Sequence, residues 1–372
     1  MSARGRINRL VLPGLAFKAV VIGGGYATGR ELVEFFLPSG AVGGIWAMLL
    51  AAAIWSGVCA ITFLFAFAVR AADYQSFFRR LLGPFAFLFE ALLILYTIVT
   101  LSVFGAAAGA IGASLIGWPS IVGTLLLACG ILLVTARGND SVEGLFKYVS
   151  VLLYGTYAVF LVLCLARFGG LIGSAFANAG PPTGWVVNGV TYASYNVIGA
   201  VLILPALRHQ RSRTDALLSG LVCGPLAMLP AMIFFVCLSA YGPAVVSQTL
   251  PSDYLLRQLH LPVFHWLFQL MIFAALLECS VGNVHAINER VVARHKLRGG
   301  IDTPRLRLIV TVLLLAFAMG IAQAVGLVDL IAKGYRMLAY LVLAIFILPL
   351  LTLGLWRLAR PAAFSGPTEV QA

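Results

Sequence analysis
The chain has 372 residues, of which 61% are hydrophobic and only 10% charged, and its formal net charge is +12. A soluble domain carries about 25% charged residues, and the mean hydropathy here is +1.01, so a soluble enzyme or a nucleic-acid-binding domain is excluded despite the basic balance. The apolar runs far exceed the ~10 residues of a barrel strand, which leaves an all-α polytopic membrane protein.

Ten apolar segments are long enough to cross a ~30 Å hydrocarbon core. They are 12–37, 41–69, 84–114, 119–135, 144–166, 188–206, 216–240, 262–289, 305–324 and 335–357. The third and eighth exceed what a crossing needs and read as tilted. The basic stretch from Met1 to Arg9 looks like the start of a signal peptide. No small-residue cleavage site follows it, so the first run reads as retained. The charges fall on alternate loops: nineteen of the 25 Lys and Arg lie on one set and four on the other, with Lys18 and Arg30 inside the first segment. Basic loops stay in the cytoplasm, so both termini are expected there.

The first segment is interrupted. Gly23, Gly24, Gly25, Tyr26, Ala27, Thr28 and Gly29 stand in its middle, between the apolar runs Leu10–Val21 and Leu32–Leu37. Four glycines in seven positions continue a helix poorly. A packing seam of small residues is the competing account. A seam, however, spaces its glycines on one helical face, whereas Gly23, Gly24 and Gly25 are consecutive. A broken backbone inside a bilayer is tolerated where it lines a cavity, and paired breaks in two halves build solute sites in secondary transporters.

The sixth segment carries its own interruption, Thr191-Tyr192-Ala193-Ser194-Tyr195-Asn196 up to Gly199, followed by Pro205. Small polar residues weaken the helix and offer ligands, although Ser, Thr and Asn also simply bond across helices. The first and sixth segments each begin a set of five. With an odd number per set the second must be inverted. The expected domains are an N-tail at 1–11, a first five-helix repeat at 12–167, an extracytoplasmic linker at 168–187, a second, inverted repeat at 188–358 and a C-tail at 359–372.

The run from Ile22 through Gly-Gly-Gly-Tyr-Ala-Thr-Gly-Arg to Glu31 resembles the "GAGFATGQE" signature of the YkvI-like bacterial membrane proteins. Tyr195-Asn196 and Asn288-Glu289-Arg290 are also similar to that family, and the resemblance covers roughly residues 10 to 358. It implies membership of the amino acid–polyamine–organocation superfamily, a LeuT-type fold with helices 1 and 6 discontinuous, and a bacterial inner membrane. The chain departs from the family with Arg30 where Gln is usual and with Glu278 in a stretch usually rich in Thr and small residues.

Glu278 lies mid-span, where a charge costs about 3 kcal/mol on insertion scales. One account is a structural salt bridge with Lys18. The other follows from the implied fold, in which the eighth span faces the first break. Carbonyls near Val21 and Gly24 would then complete a cation site with Glu278 and Ser280, or Glu278 would carry a proton, and the lack of an oxygen octet favours the proton. Lys18 lies five residues before Gly23, about 7–8 Å toward the cytoplasm, and either snorkels or releases Glu278 when an inner gate opens. Arg30 and Glu34 are spaced i, i+4 as a helical pair, although Arg30 could instead hold a substrate carboxylate. Tyr26, Tyr96 and Tyr195 suit the walls of a small-solute site.

The expected substrate-binding residues are thus Gly23, Gly24, Gly25, Tyr26, Ala27, Thr28, Arg30, Tyr96, Tyr195 and Asn196. The cation-coupling set is Glu278, Ser280, Val21, Gly24 and Lys18. The expected activity is secondary active transport of a small organic solute, an amino acid or related amine or organic acid, coupled to H+ or Na+. The partners are that solute, the cation and the lipid bilayer, with no nucleic acid, cofactor or catalytic residue. A metal-ion transporter of this fold would want Asp-Pro-Gly-Asn and Met-Pro-His at the breaks, and neither occurs. His285 and Glu289 are spaced i, i+4 but form no HExxH, which argues against an intramembrane enzyme. The six cysteines sit in apolar segments without a CxxC pair and read as packing residues, giving neither metal nor disulfide. A transporter-like sensor that binds a solute without moving it is the alternative.

Overall fold
The computed structural model describes residues 3–22, 24–136, 139–297, 299–301 and 303–360. Every regular element among them is helical. The first crossing comprises α1 (Ala3–Val21), the single turn α2 (Gly24–Ala27) and α3 (Arg30–Phe35). α4 (Gly40–Val69) returns, and a short surface helix, α5 (Tyr74–Leu82), leads into α6 (Phe87–Ile116), α7 (Ser120–Ala136) and α8 (Asn139–Ala177). The sixth crossing is α9 (Trp185–Asn196) and α10 (Gly199–Leu202), followed by α11 (Arg213–Ser239). Two short helices, α12 (Gly242–Val246) and α13 (Pro251–Leu259), precede α14 (Pro262–Leu297) and α15 (Pro304–Val325). The last crossing joins α16 (Leu327–Asp329), α17 (Arg336–Val342) and α18 (Leu355–Ala359) through π-helical turns at Leu330–Tyr335, Leu343–Ile347 and Leu350–Gly354.

Seven helical stretches among the described residues are long and apolar enough to cross a membrane. The other three crossings are the shorter apolar helices Leu10–Val21 and Ser120–Thr135 and the broken sixth. The ten expected segments therefore all exist. Boundaries differ at several of them: α1 begins at Ala3 rather than 12, and α14 runs to Leu297 rather than 289. α8 runs to Ala177 rather than stopping near 166, because Leu171, Ile172 and Phe176 prolong the apolar run until Pro181 and Pro182 end it. The expected linker at 168–187 is therefore half helix. The last crossing begins at Leu327, where Asp329 and Lys333 (3.1 Å apart) read in sequence as a loop. The short helices α5, α12 and α13 have no counterpart among the expected segments. α5 starts at a capping box in which Asp73 and Ser76 bond reciprocally.

Apolar side chains face outward as well as inward: Val162 is 65% exposed, Leu229 60% and Leu313 65%. In water such a surface would aggregate; in lipid it needs no partner, and packing rather than water exclusion joins the helices. α4 and α11 lie against each other along their lengths, with α1 and α9 joining them. The Trp55 indole, fully buried, donates to the Ala193 carbonyl (3.1 Å), and Ser56 donates to the Leu221 carbonyl (2.8 Å). A second group packs α6 with α7 and α15, and α14 with α8. The cavity lies where the two groups meet.

Candidate solute site at the two helix breaks
The first break is a local consequence of sequence. α1 closes with Ile22 donating to the Lys18 carbonyl (2.8 Å), and the chain resumes as one turn, Gly24–Ala27. Gly29 then turns at φ +78°, a conformation that L side chains avoid, and a Cβ there would stand 3.0 Å from the Phe234 ring. The Thr28 carbonyl, freed by the turn, accepts from the Ser252 amide (3.0 Å). Gly23 lies outside the described residues. The sixth break is shallower. Val197 and Ile198 stay right-handed, but the bonding tightens to Ala200 donating to the Val197 carbonyl (2.9 Å). The breaks adjoin, for a Cβ on Gly199 would meet Val20 at 3.1 Å and the Phe17 ring at 3.2 Å.

A cavity of about 360 Å³ lies beside both breaks, within the usual range for a small-molecule site. Of the expected site residues Val21, Tyr26, Tyr96, Tyr195, Asn196 and Glu278 line it together. Lys18, Gly24, Gly25, Ala27, Thr28, Arg30 and Ser280 are not among its described lining residues. Ser280 is fully buried and its hydroxyl has no hydrogen-bond partner among the described residues. Neither Lys18 nor Glu278 is without a partner. Sequence reasoning missed Glu31, Thr100, Asn283 and Tyr335 as lining residues. Asn283 donates to Thr100 (3.2 Å), and Tyr157 donates to the Tyr26 hydroxyl (3.2 Å). Tyr335 stands in a π-helical turn, a feature frequent at functional sites.

Arg30 is committed elsewhere. Its guanidinium donates to Glu34 (3.0 Å) and to the carbonyls of Val246 (2.8 Å) and Gln248 (3.1 Å). The intrahelical pair is thus the geometry observed, extended into a clamp on the α12–α13 connection. Access to the cavity is uneven. At its α1 end Ala19 and Val20 are exposed, Val20 by 38%, whereas at the α3 end Tyr195 and Tyr335 are buried to 3% or less.

Beyond that closed end a second cavity, bordered by Ser114, Gln248, Asp253 and Gln323, lies under α13. Asp253 anchors the helix: Gln269 donates to it (2.7 Å), His265 Nε2 stands 2.6 Å away and Arg257 2.9 Å. Burial alone would raise its pKa, but the bonds from His265 and Ser114 and the Arg257 charge outweigh it, holding the carboxyl below its usual 3.8. Arg257 also donates to Ser114 at the end of α6 (3.0 Å).

Among known proteins the chain is similar to the uncharacterized membrane protein YkvI of Bacillus subtilis strain 168, at 26% identity over 286 residues, 74% of this chain and 80% of that one. No family model matches. Its fold resembles that of MhsT in complex with L-phenylalanine (TM-score 0.56, 14% identity, 98% of this chain and 99% of that chain). It also resembles Mhp1, a nucleobase-cation-symport-1 family transporter with bromovinylhydantoin bound (TM-score 0.56, 16% identity, 95% and 79% covered). The fold is therefore the LeuT type, two inverted five-helix repeats with the first and sixth helices discontinuous.

Proposed function
We propose that the protein is a secondary active transporter that moves a small organic solute by alternating access, coupled to H+ or Na+, with the proton favoured. The observation that carries this reading is a cavity that borders both helix breaks and is lined by Tyr26, Asn196 and the intramembrane carboxylate Glu278. Discontinuous helices at a repeat interface are the architecture of solute and ion sites in such transporters. The membrane relative YkvI and the charge placement support a bacterial inner-membrane protein with both termini cytoplasmic. Coupling is assigned to Glu278, which borders the cavity with Val21, and the proposed coupling set keeps Lys18, Gly24 and Ser280, which are not among its described lining residues.

The test is solute counterflow in proteoliposomes, using a compound first found by thermal shift, since a ligand selective for the folded state raises its stability. Exchange of labelled for unlabelled solute, abolished by omitting the protein, is the expected result. Saturable binding with no counterflow would leave a solute sensor.

A further inference from the structure
We infer that Glu31 is the residue that selects the solute, and that the solute is a compact organic cation without a carboxylate. The inference rests on the cavity being the solute site of the proposed transporter. Glu31 is 5% exposed and borders the cavity from α3, two residues beyond the Gly29 turn. Among the described residues its carboxylate accepts a hydrogen bond from the Tyr195 hydroxyl on α9 (2.6 Å). A carboxylate at this depth calls for a positive partner or a proton. The adjacent Arg30 makes no bond to it among the described residues: its terminal nitrogens donate to Glu34 and to the carbonyls of Val246 and Gln248, and its buried Nε has no hydrogen-bond partner there.

The rest of the lining has the same preference. No Arg, Lys or His is among the described residues that border the cavity, so a solute carboxylate would meet no positive side chain and would face Glu31. Four tyrosines, Tyr26, Tyr96, Tyr195 and Tyr335, border it instead. Tyr195 and Tyr335 lie with their ring centroids 4.7 Å apart and tilted by 33°, a continuous aromatic wall beside Glu31. Aromatic faces attract a desolvated ammonium group through the ring quadrupole, and cages of such rings recognise quaternary ammonium ions. A carboxylate fixed by a tyrosine hydroxyl, among tyrosine rings and with no competing cation in the described lining, is a receptor for a positively charged nitrogen.

The experiment uses the purified full-length protein and four probes: choline, n-butylamine, glycine betaine and 3,3-dimethylbutan-1-ol. Glycine betaine keeps the choline headgroup but adds a carboxylate; dimethylbutanol keeps the shape without charge. Thermal shift and calorimetric titration should show saturable binding of choline or butylamine, with the last two probes at least about tenfold weaker. Glu31→Gln should weaken cation binding at least about tenfold, and Tyr96→Leu several-fold, both with a cooperative melt. If Glu31→Gln does not fold, the four-probe comparison on the wild type and Tyr96→Leu decide the matter. Equal binding of glycine betaine or the neutral alcohol, no binding of either cation, or undiminished affinity in Glu31→Gln would overturn the inference. Counterflow of an organic acid would overturn it while leaving transport standing. Cation binding without counterflow would uphold Glu31 as the selector and remove transport.

Discussion

The backbone amide of Ser252 donates to the carbonyl of Thr28 at 3.0 Å, so a group freed by the break in the first crossing is satisfied by a helix outside the membrane spans. Backbone interrupted in a bilayer must find such partners. Arg30, two residues on, adds bonds to the carbonyls of Val246 and Gln248. Together they tie the α12–α13 connection onto the break and close that end of the molecule.

Arg30→Ala should therefore loosen this closure. It leaves two carbonyls without their donor and Glu34 with Arg336 (3.7 Å) as its remaining cation, which costs about 1–3 kcal/mol. The readout is the reactivity of Leu250→Cys, 5% exposed and bordering the second cavity, toward a membrane-impermeant thiol reagent in a cysteine-free background. Labelling should quicken several-fold. Unchanged labelling with selective loss of carboxylate-bearing solutes would instead make Arg30 a solute ligand.

Gly29→Ala should destabilise the protein by about 1–2 kcal/mol from the left-handed conformation alone, with a further loss as the Phe234 ring, 3.0 Å from the new Cβ, moves away. Gly57 is the control. It lies inside α4, and a methyl group added to it would meet nothing within 4 Å, so Gly57→Ala should leave the thermal midpoint unchanged or raise it. Equal effects at the two positions would mean that the turn at Gly29 is not needed.

Much of this was legible in the sequence, for reasons that also explain the gaps. Consecutive Gly23, Gly24 and Gly25 with Thr28-Gly29 weaken a helix by their own backbone freedom, so the first break could be read locally, although one helical turn, Gly24–Ala27, survives within it. A lone Glu278 in an apolar run announces itself by its cost. Glu31 did not, because Arg30 and Glu34 beside it satisfy the i, i+4 rule and draw the reading to an intrahelical pair. The available signal was rotational. Glu31 sits about 100° around the helix from Arg30 and four residues before the buried Phe35. Tyr335 was hidden between Lys333 and Arg336, which look like a loop until the π-helical turn brings the ring inward. The carbonyl partners of Arg30 are more than 200 residues distant, beyond any local rule.

Asp253 should make stability pH-dependent in a defined sense. Its folded pKa lies below the ordinary 3.8, so its charged form is the stabilising one. That contribution is complete above the ordinary value and is lost as pH falls through the lowered one. Asp253→Ala leaves Gln269 and His265 without their acceptor, costing about 1–3 kcal/mol near neutral pH. Between about pH 5 and pH 2 the wild-type thermal midpoint should fall toward that of the variant. A gap between the two that stays constant over this range would show that Asp253 acts through packing rather than charge.

The two carboxylates on the central cavity should separate by function. Glu31 and Glu278 border it from α3 and α14 respectively. If Glu31 reads the solute and Glu278 carries the coupling cation, their amide variants fail differently. Glu278→Gln mimics the neutral form, so solute binding and counterflow should persist while accumulation driven by a pH or sodium gradient is abolished. A charge at this depth costs about 3 kcal/mol, and the variant should accordingly be no less stable than the wild type unless Glu278 is half of an ion pair. Glu31→Gln should instead lose binding itself, with transport failing at every gradient. Gradient-driven accumulation by Glu278→Gln, with unchanged pH and sodium dependence, would return Glu278 to a structural role. Coupling would then have to be sought at Glu31, the remaining carboxylate among the described residues that line the cavity.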